Sequence, residues 1–161
     1  MITIQKEDYI FEADVEKTAD YYRTHSLCEC DCCMNFYAQI SGKFPKLEAF
    51  LSDFGIDISK PDEITGVELD NAVQYISVDY TVCGKVAAMG QKMIDIHDGQ
   101  LISLVITDGF ASPNEQTSEY FTISINNLEF PWVLDKPFPE PIRCKAPKSP
   151  IKEFFRKILK N

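Results

Sequence analysis

Two histidines in the whole chain, His25 and His97, leave little room for metal catalysis built on imidazole. None of the patterns that name a reaction is present: no P-loop, no GxGxxG, no GxSxG and no HExxH. No run approaches the roughly 18 apolar residues of a membrane span, so no transmembrane segment is expected. No internal repeat or low-complexity tract is found. Positive charge is in deficit, with 16 Lys and Arg against 25 Asp and Glu, a formal net charge of -9 and a pI of about 4.7. Nucleic-acid binding draws much of its affinity from Lys and Arg at phosphates, so no nucleic-acid partner is expected. The first residues, MITIQKEDYIFEADVEK, put Lys6, Glu7 and Asp8 where a secretory signal would carry its apolar core. The expectation is a cytoplasmic protein. There cysteines stay reduced and serve metal binding or thiol chemistry rather than structural disulfides.

What is present suits an ordinary globular chain. Hydrophobic residues make up 45% and charged residues 25% of 161 positions, enough for one domain with a core that folds without disulfide or metal. Asp14 is placed to cap a helix whose face is Val15, Ala19 and Tyr22. Asp31 is placed to cap a second, carrying Cys33, Phe36, Tyr37 and Ile40 and ended by Gly42. Phe44-Pro45 opens a third, with Leu47, Phe50, Leu51 and Phe54 as its stripe and Gly55 beyond its end. Residues 2–12 read as a short strand or extended arm, and 56–64 as a loop. The period then changes to 2: Ile76, Val78, Tyr80 and Val82 alternate with polar residues. Residues 92–98 and 101–107 form a hairpin through Asp98-Gly99, 108–119 a surface loop and 120–126 a further strand. Six of the nine prolines fall within 130–150, so that stretch is extended, with Trp132 anchoring it in the core.

The fold class is therefore α+β in a single domain, 1–161. Residues 1–55 are mainly helical and carry a cysteine cluster. Residues 62–130 form a mainly antiparallel β-sheet. Residues 131–150 are a Pro-rich wrap and 151–161 a short C-terminal helix. In that last segment Ile151, Phe154, Phe155 and Ile158 make an apolar face among Lys152, Arg156, Lys157 and Lys160. A basic amphipathic helix of this kind lies either on its own acidic domain or on a partner or membrane surface.

Chemistry has one foothold, HSLCECDCCMNF at 25–36, which holds four of the six cysteines. His25, Cys28, Cys30 and Cys33 make one His and three Cys within nine residues, a complete tetrahedral set for zinc. Cys32 is an extra. Three readings stand open: a metal site, a redox or reactive thiol at Cys30 or Cys33, and free cysteines beside two helices with His25 near a helix end. Glu29 and Asp31 oppose the thiol reading, since carboxylates raise a thiol's pKa. Cys83 and Cys144 stand alone and read as small buried hydrophobes. Asp95, His97 and Asp98 group at a hairpin tip as a weaker candidate for metal or acid–base chemistry.

The string Cys28-x-Cys30-x2-Cys33-x-Asn35-Phe36, followed by FPKLEAFLSDFGIDISKPDEI at 44–64, resembles a family of small uncharacterised bacterial proteins. ISVDYTVCGKV and INNLEFPWVLDKP are similar to that family's strand region and Pro-Trp segment. The resemblance covers about residues 20–137 and is densest over 25–64. It implies a cytoplasmic bacterial protein, and it brings no established activity and no catalytic residue.

The combined reading is a non-enzymatic protein-interaction domain with a structural zinc site at His25, Cys28, Cys30 and Cys33. Its partner is another protein. The alternative is a thiol-dependent enzyme or a redox or metal sensor using Cys30 or Cys33.

Overall fold

The computed structural model describes residues 1–109 and 119–139. The fold is α+β: an N-terminal hairpin, three helices, then the strands that complete a seven-stranded antiparallel sheet. The hairpin corrects the mainly helical reading of 1–55. Strands β1 (Ile2–Lys6) and β2 (Tyr9–Ala13) turn at Glu7, whose φ is +51°. Tyr9, Phe11 and Ala13 alternate inward, which is the burial that commits the segment to strand.

Helix α1 (Val15–Thr24) starts where the capping argument put it, with the Asp14 carboxylate accepting from the Lys17 amide at 3.1 Å. Helix α2 (Asp31–Ile40) begins one residue earlier than a cap at Asp31 requires, because Cys30 holds the N-cap position. Asp31 instead pairs with Lys136 at 2.6 Å. Helix α3 (Pro45–Ser52) has Pro45 in its first turn. Its first amides are satisfied from far along the chain: Asp98 Oδ2 accepts from Lys46 N at 2.7 Å and Leu47 N at 3.2 Å.

The remaining strands are β3 (Glu63–Leu69), β4 (Ala72–Ala88), β5 (Ile94–His97), β6 (Leu101–Asp108) and β7 (Tyr120–Pro131). Their order is β1-β2-β4-β7-β6-β5, with β3 also paired to β4. Strand β3 corrects the reading of 56–64 as loop up to its end. Its residues are all half-buried or exposed, so it carries no apolar alternation to read.

One edge of β4 is shared. Strand β3 pairs with residues 72–79 and β2 with 84–88. Between them α1 supplies the partners. Asp14 N donates to Cys83 O at 2.8 Å, Thr18 Oγ1 accepts from Cys83 N at 3.0 Å and Tyr22 Oη donates to Thr81 O at 2.9 Å. Asp62 Oδ2 accepts from Thr81 N at 2.7 Å. Backbone groups that a gap between strands would strand are thus satisfied.

The inward alternation of β4 changes phase midway. Val73 and Tyr75 are buried, then Val78, Tyr80 and Val82, while Ile76 is 45% exposed, against its expected place on the buried side. Strand β7 changes phase at the facing point: Phe121, Ile123 and Ile125, then Leu128 and Phe130, with Asn127 at φ +59°. The β3 pairing shifts register between Thr65 and Gly66 at the same level, as a bulge does. Both halves still face the helices, since the Phe36 ring meets Tyr75 and Phe130 while Phe54 meets Phe121.

Trp132 is half-buried against the core rather than within it. Its Nε1 donates to Lys136 O at 2.9 Å and its ring meets Phe138 edge-on at 5.3 Å. The Pro-rich stretch beyond Pro139, Cys144 and the helix expected at 151–161 lie outside the described residues, as do 110–118 of the expected loop. Among the described residues no helix is long and apolar enough to cross a membrane.

Candidate metal centre

His25 is the C-cap of α1, and its amide donates to Tyr21 O at 3.0 Å. The chain then runs without regular structure to Cys30 and enters α2. Two contacts fix that entry to the sheet. Tyr75 Oη donates to Cys32 O at 2.9 Å. Asn35, fully buried, donates through Nδ2 to Tyr75 Oη and Pro131 O, each at 3.1 Å, and accepts through Oδ1 from Val133 N at 2.9 Å. A buried amide with these contacts made is a positional lock on the first turn of α2.

That turn brings three thiols together. The Sγ atoms of Cys28, Cys30 and Cys33 all lie within 4.8 Å of one another. Three sulphurs around tetrahedral zinc at 2.3 Å are about 3.8 Å apart, so a closure of about 1 Å suffices to coordinate a metal ion. Cys28 and Cys30 are exposed and Cys33 is buried. Cys32, on another side of the helix, points its Sγ at Glu68 Oε1, 3.4 Å away. Burial, then that carboxylate, pushes its thiol up to about 11.

The three grouped thiols are electrostatically linked. The Cys30 amide, 3.5 Å from Cys28 Sγ, lowers the Cys28 thiol's pKa, and the Cys30 thiol adds to the effect. Burial raises that of Cys33, helped by Cys30 and Cys28. Burial also raises the Tyr37 phenol, followed by the charge of Cys33. Without a cation, thiolates this close oppose one another's ionisation; a bound divalent metal reverses that balance.

Cys28, Cys30 and Cys33 line one wall of a cavity of about 260 Å³, completed by Tyr37, Pro61, Asp62, Glu63 and Ile64. Asp62 is held rigidly. Tyr21 Oη donates to its Oδ1, while Tyr22 Oη, at 3.3 Å, and Thr81 N donate to Oδ2. His25 stands outside the 4.8 Å group. Its Nε2 is 3.3 Å from Pro61 O, and its Nδ1 is buried without a hydrogen-bond partner.

The hairpin-tip group resolves into other work. Asp98 caps α3, His97 O accepts from Lys46 Nζ at 2.9 Å, and Asp95 accepts from Ser103 Oγ at 2.6 Å. Sequence reasoning missed Asn35, Tyr75 and Asp62. The one available signal was Asn35 itself, an amide inside the quoted string beside Phe36.

These features define an α+β protein whose helical region carries a three-cysteine group that could hold a metal ion. No protein-family model, no curated protein and no solved structure matches the chain.

Proposed function

We propose that this chain is a zinc-binding, non-enzymatic protein-interaction domain of the bacterial cytoplasm. Cys28, Cys30 and Cys33 hold the metal. The observation that carries the reading is the mutual 4.8 Å spacing of their sulphurs on one cavity wall. Thiolate is a soft donor that favours zinc over calcium or magnesium. The metal ties the irregular segment 26–30 to the first turn of α2 and so sets a local surface. Apolar side chains exposed on the β3–β4 hairpin, Val67, Leu69 and Ile76, support a protein partner.

Elemental analysis of tag-free protein, purified reduced and without chelator, tests this. About one zinc per chain, lost in a Cys30→Ser/Cys33→Ser variant, is the expected result. Metal-free protein under those conditions overturns it.

The alternative, a thiol-dependent enzyme or sensor, has one observation in its favour. Cys28 is exposed and its thiol pKa is lowered. The burial of Cys33 works against a nucleophile there. Thiol titration separates the two: thiols that react only after chelation favour metal, and one fast thiol without chelation favours the alternative.

A further inference from the structure

Three sulphurs fill three of the four positions zinc prefers, and three protein ligands with a fourth position for another group is the arrangement of zinc sites that engage a ligand. All three cysteines line the same cavity, so a metal among them faces it. Resting on the three-thiolate reading above, we infer that the metal's fourth position takes a neutral nitrogen donor of imidazole type, supplied from outside the chain through this cavity.

Size, charge and hydrogen bonding each narrow the ligand. The cavity of about 260 Å³ is several times the roughly 30 Å³ that a water occupies in the liquid, so a five-membered ring fits. Zinc with three thiolates carries one net negative charge, and Asp62 and Glu63 stand on the opposite wall. An anionic ligand meets repulsion from both sides. A neutral donor does not. Zinc-bound imidazole hands its remote N–H to a carboxylate or a carbonyl. Asp62 offers such a carboxylate on the wall, oriented by Tyr21, Tyr22 and the Thr81 amide. The chain's own nearby imidazole is engaged elsewhere: His25 Nε2 lies against Pro61 O at 3.3 Å, and the ring does not line the cavity.

Cobalt(II) added to the metal-free, reduced full chain reports on both layers of the account. Thiolate-to-cobalt charge-transfer absorption tests the metal centre itself, and its absence overturns the three-thiolate reading. Given that absorption, imidazole titrated into the cobalt protein shifts the visible ligand-field bands to saturation. Azide binds at least about tenfold more weakly, a difference of about 1.4 kcal/mol. A His25→Gln variant gives the same starting spectrum and an imidazole affinity within about twofold of the parent. Cobalt bands that imidazole leaves unmoved overturn the inference while leaving the metal centre standing. So does a His25→Gln spectrum that differs from the parent before imidazole is added, which would make His25 the fourth ligand. Azide that saturates as tightly as imidazole overturns the charge selection. A Gly-His-Gly peptide distinguishes the sources. Binding as tight as imidazole's assigns the position to a partner's histidine side chain, and binding of imidazole alone assigns it to a small free ligand.

Discussion

Cys32 and Cys33 are neighbours in the chain, but a helix sets successive side chains about 100° apart. One thiol therefore meets Glu68 and the other joins Cys28 and Cys30. Spacing alone marked both as thiols near a helix start; which of them joins the group depends on helix phase against the sheet, set by Asn35 and Tyr75. Cys33→Ser is expected to weaken zinc binding by about 100-fold or more, at or beyond the upper end of the effect of outer partners. Cys32→Ser should leave stoichiometry and affinity unchanged. Competition with a chromogenic chelator measures both. Buried phenols give a second prediction. Burial holds Tyr22 and Tyr80 well above the ordinary value of 10.0. Above about pH 10 the unfolded chain loses protons that the folded chain keeps, so the unfolded state gains and stability falls as pH rises. The urea midpoint should drop between about pH 9 and pH 11, and drop less in Tyr80→Phe.

Local signals predicted what local chemistry controls. Asp14 caps α1, Pro45 opens α3, and the stripe Leu47, Phe50, Leu51 and Phe54 is buried. Features set by distant partners were not legible. Asp98 caps α3 from a hairpin about fifty residues away, and β3 exists because β4 offers it an edge, not because its own residues alternate. The phase change at Ile76 and Asn127 likewise needs two strands facing each other. Gly55 shows how closely two helical segments meet. Its φ is +81°, and a Cβ there would lie 2.3 Å from Val15 O at the start of α1. Gly55→Ala therefore combines a left-handed backbone with a backbone clash. It should cost about 2 kcal/mol or more, read as a lower urea midpoint with an unchanged slope.

At the scale of the whole molecule the metal centre is peripheral to stability. The buried cluster runs from Phe11 on β2 through Phe54 and Phe121 to Phe130, and no member of the cysteine group is needed to close it. Chelation should leave far-UV circular dichroism and the melting transition nearly unchanged, while amide exchange rises across 26–33. A large cooperative unfolding on chelation would contradict this. The α+β class and the cysteine cluster's helical setting were legible because composition, period and caps are local quantities. The strand order β1-β2-β4-β7-β6-β5 was not, since it depends on which edges meet.

The central claim is that Cys28, Cys30 and Cys33 coordinate one metal ion together. Zinc K-edge X-ray absorption on the reduced, zinc-loaded full chain tests it most directly. The account predicts three sulphur scatterers at about 2.3 Å and one nitrogen or oxygen at about 2.0–2.1 Å. A shell without sulphur, or one with four sulphurs that draws in Cys32, would contradict it.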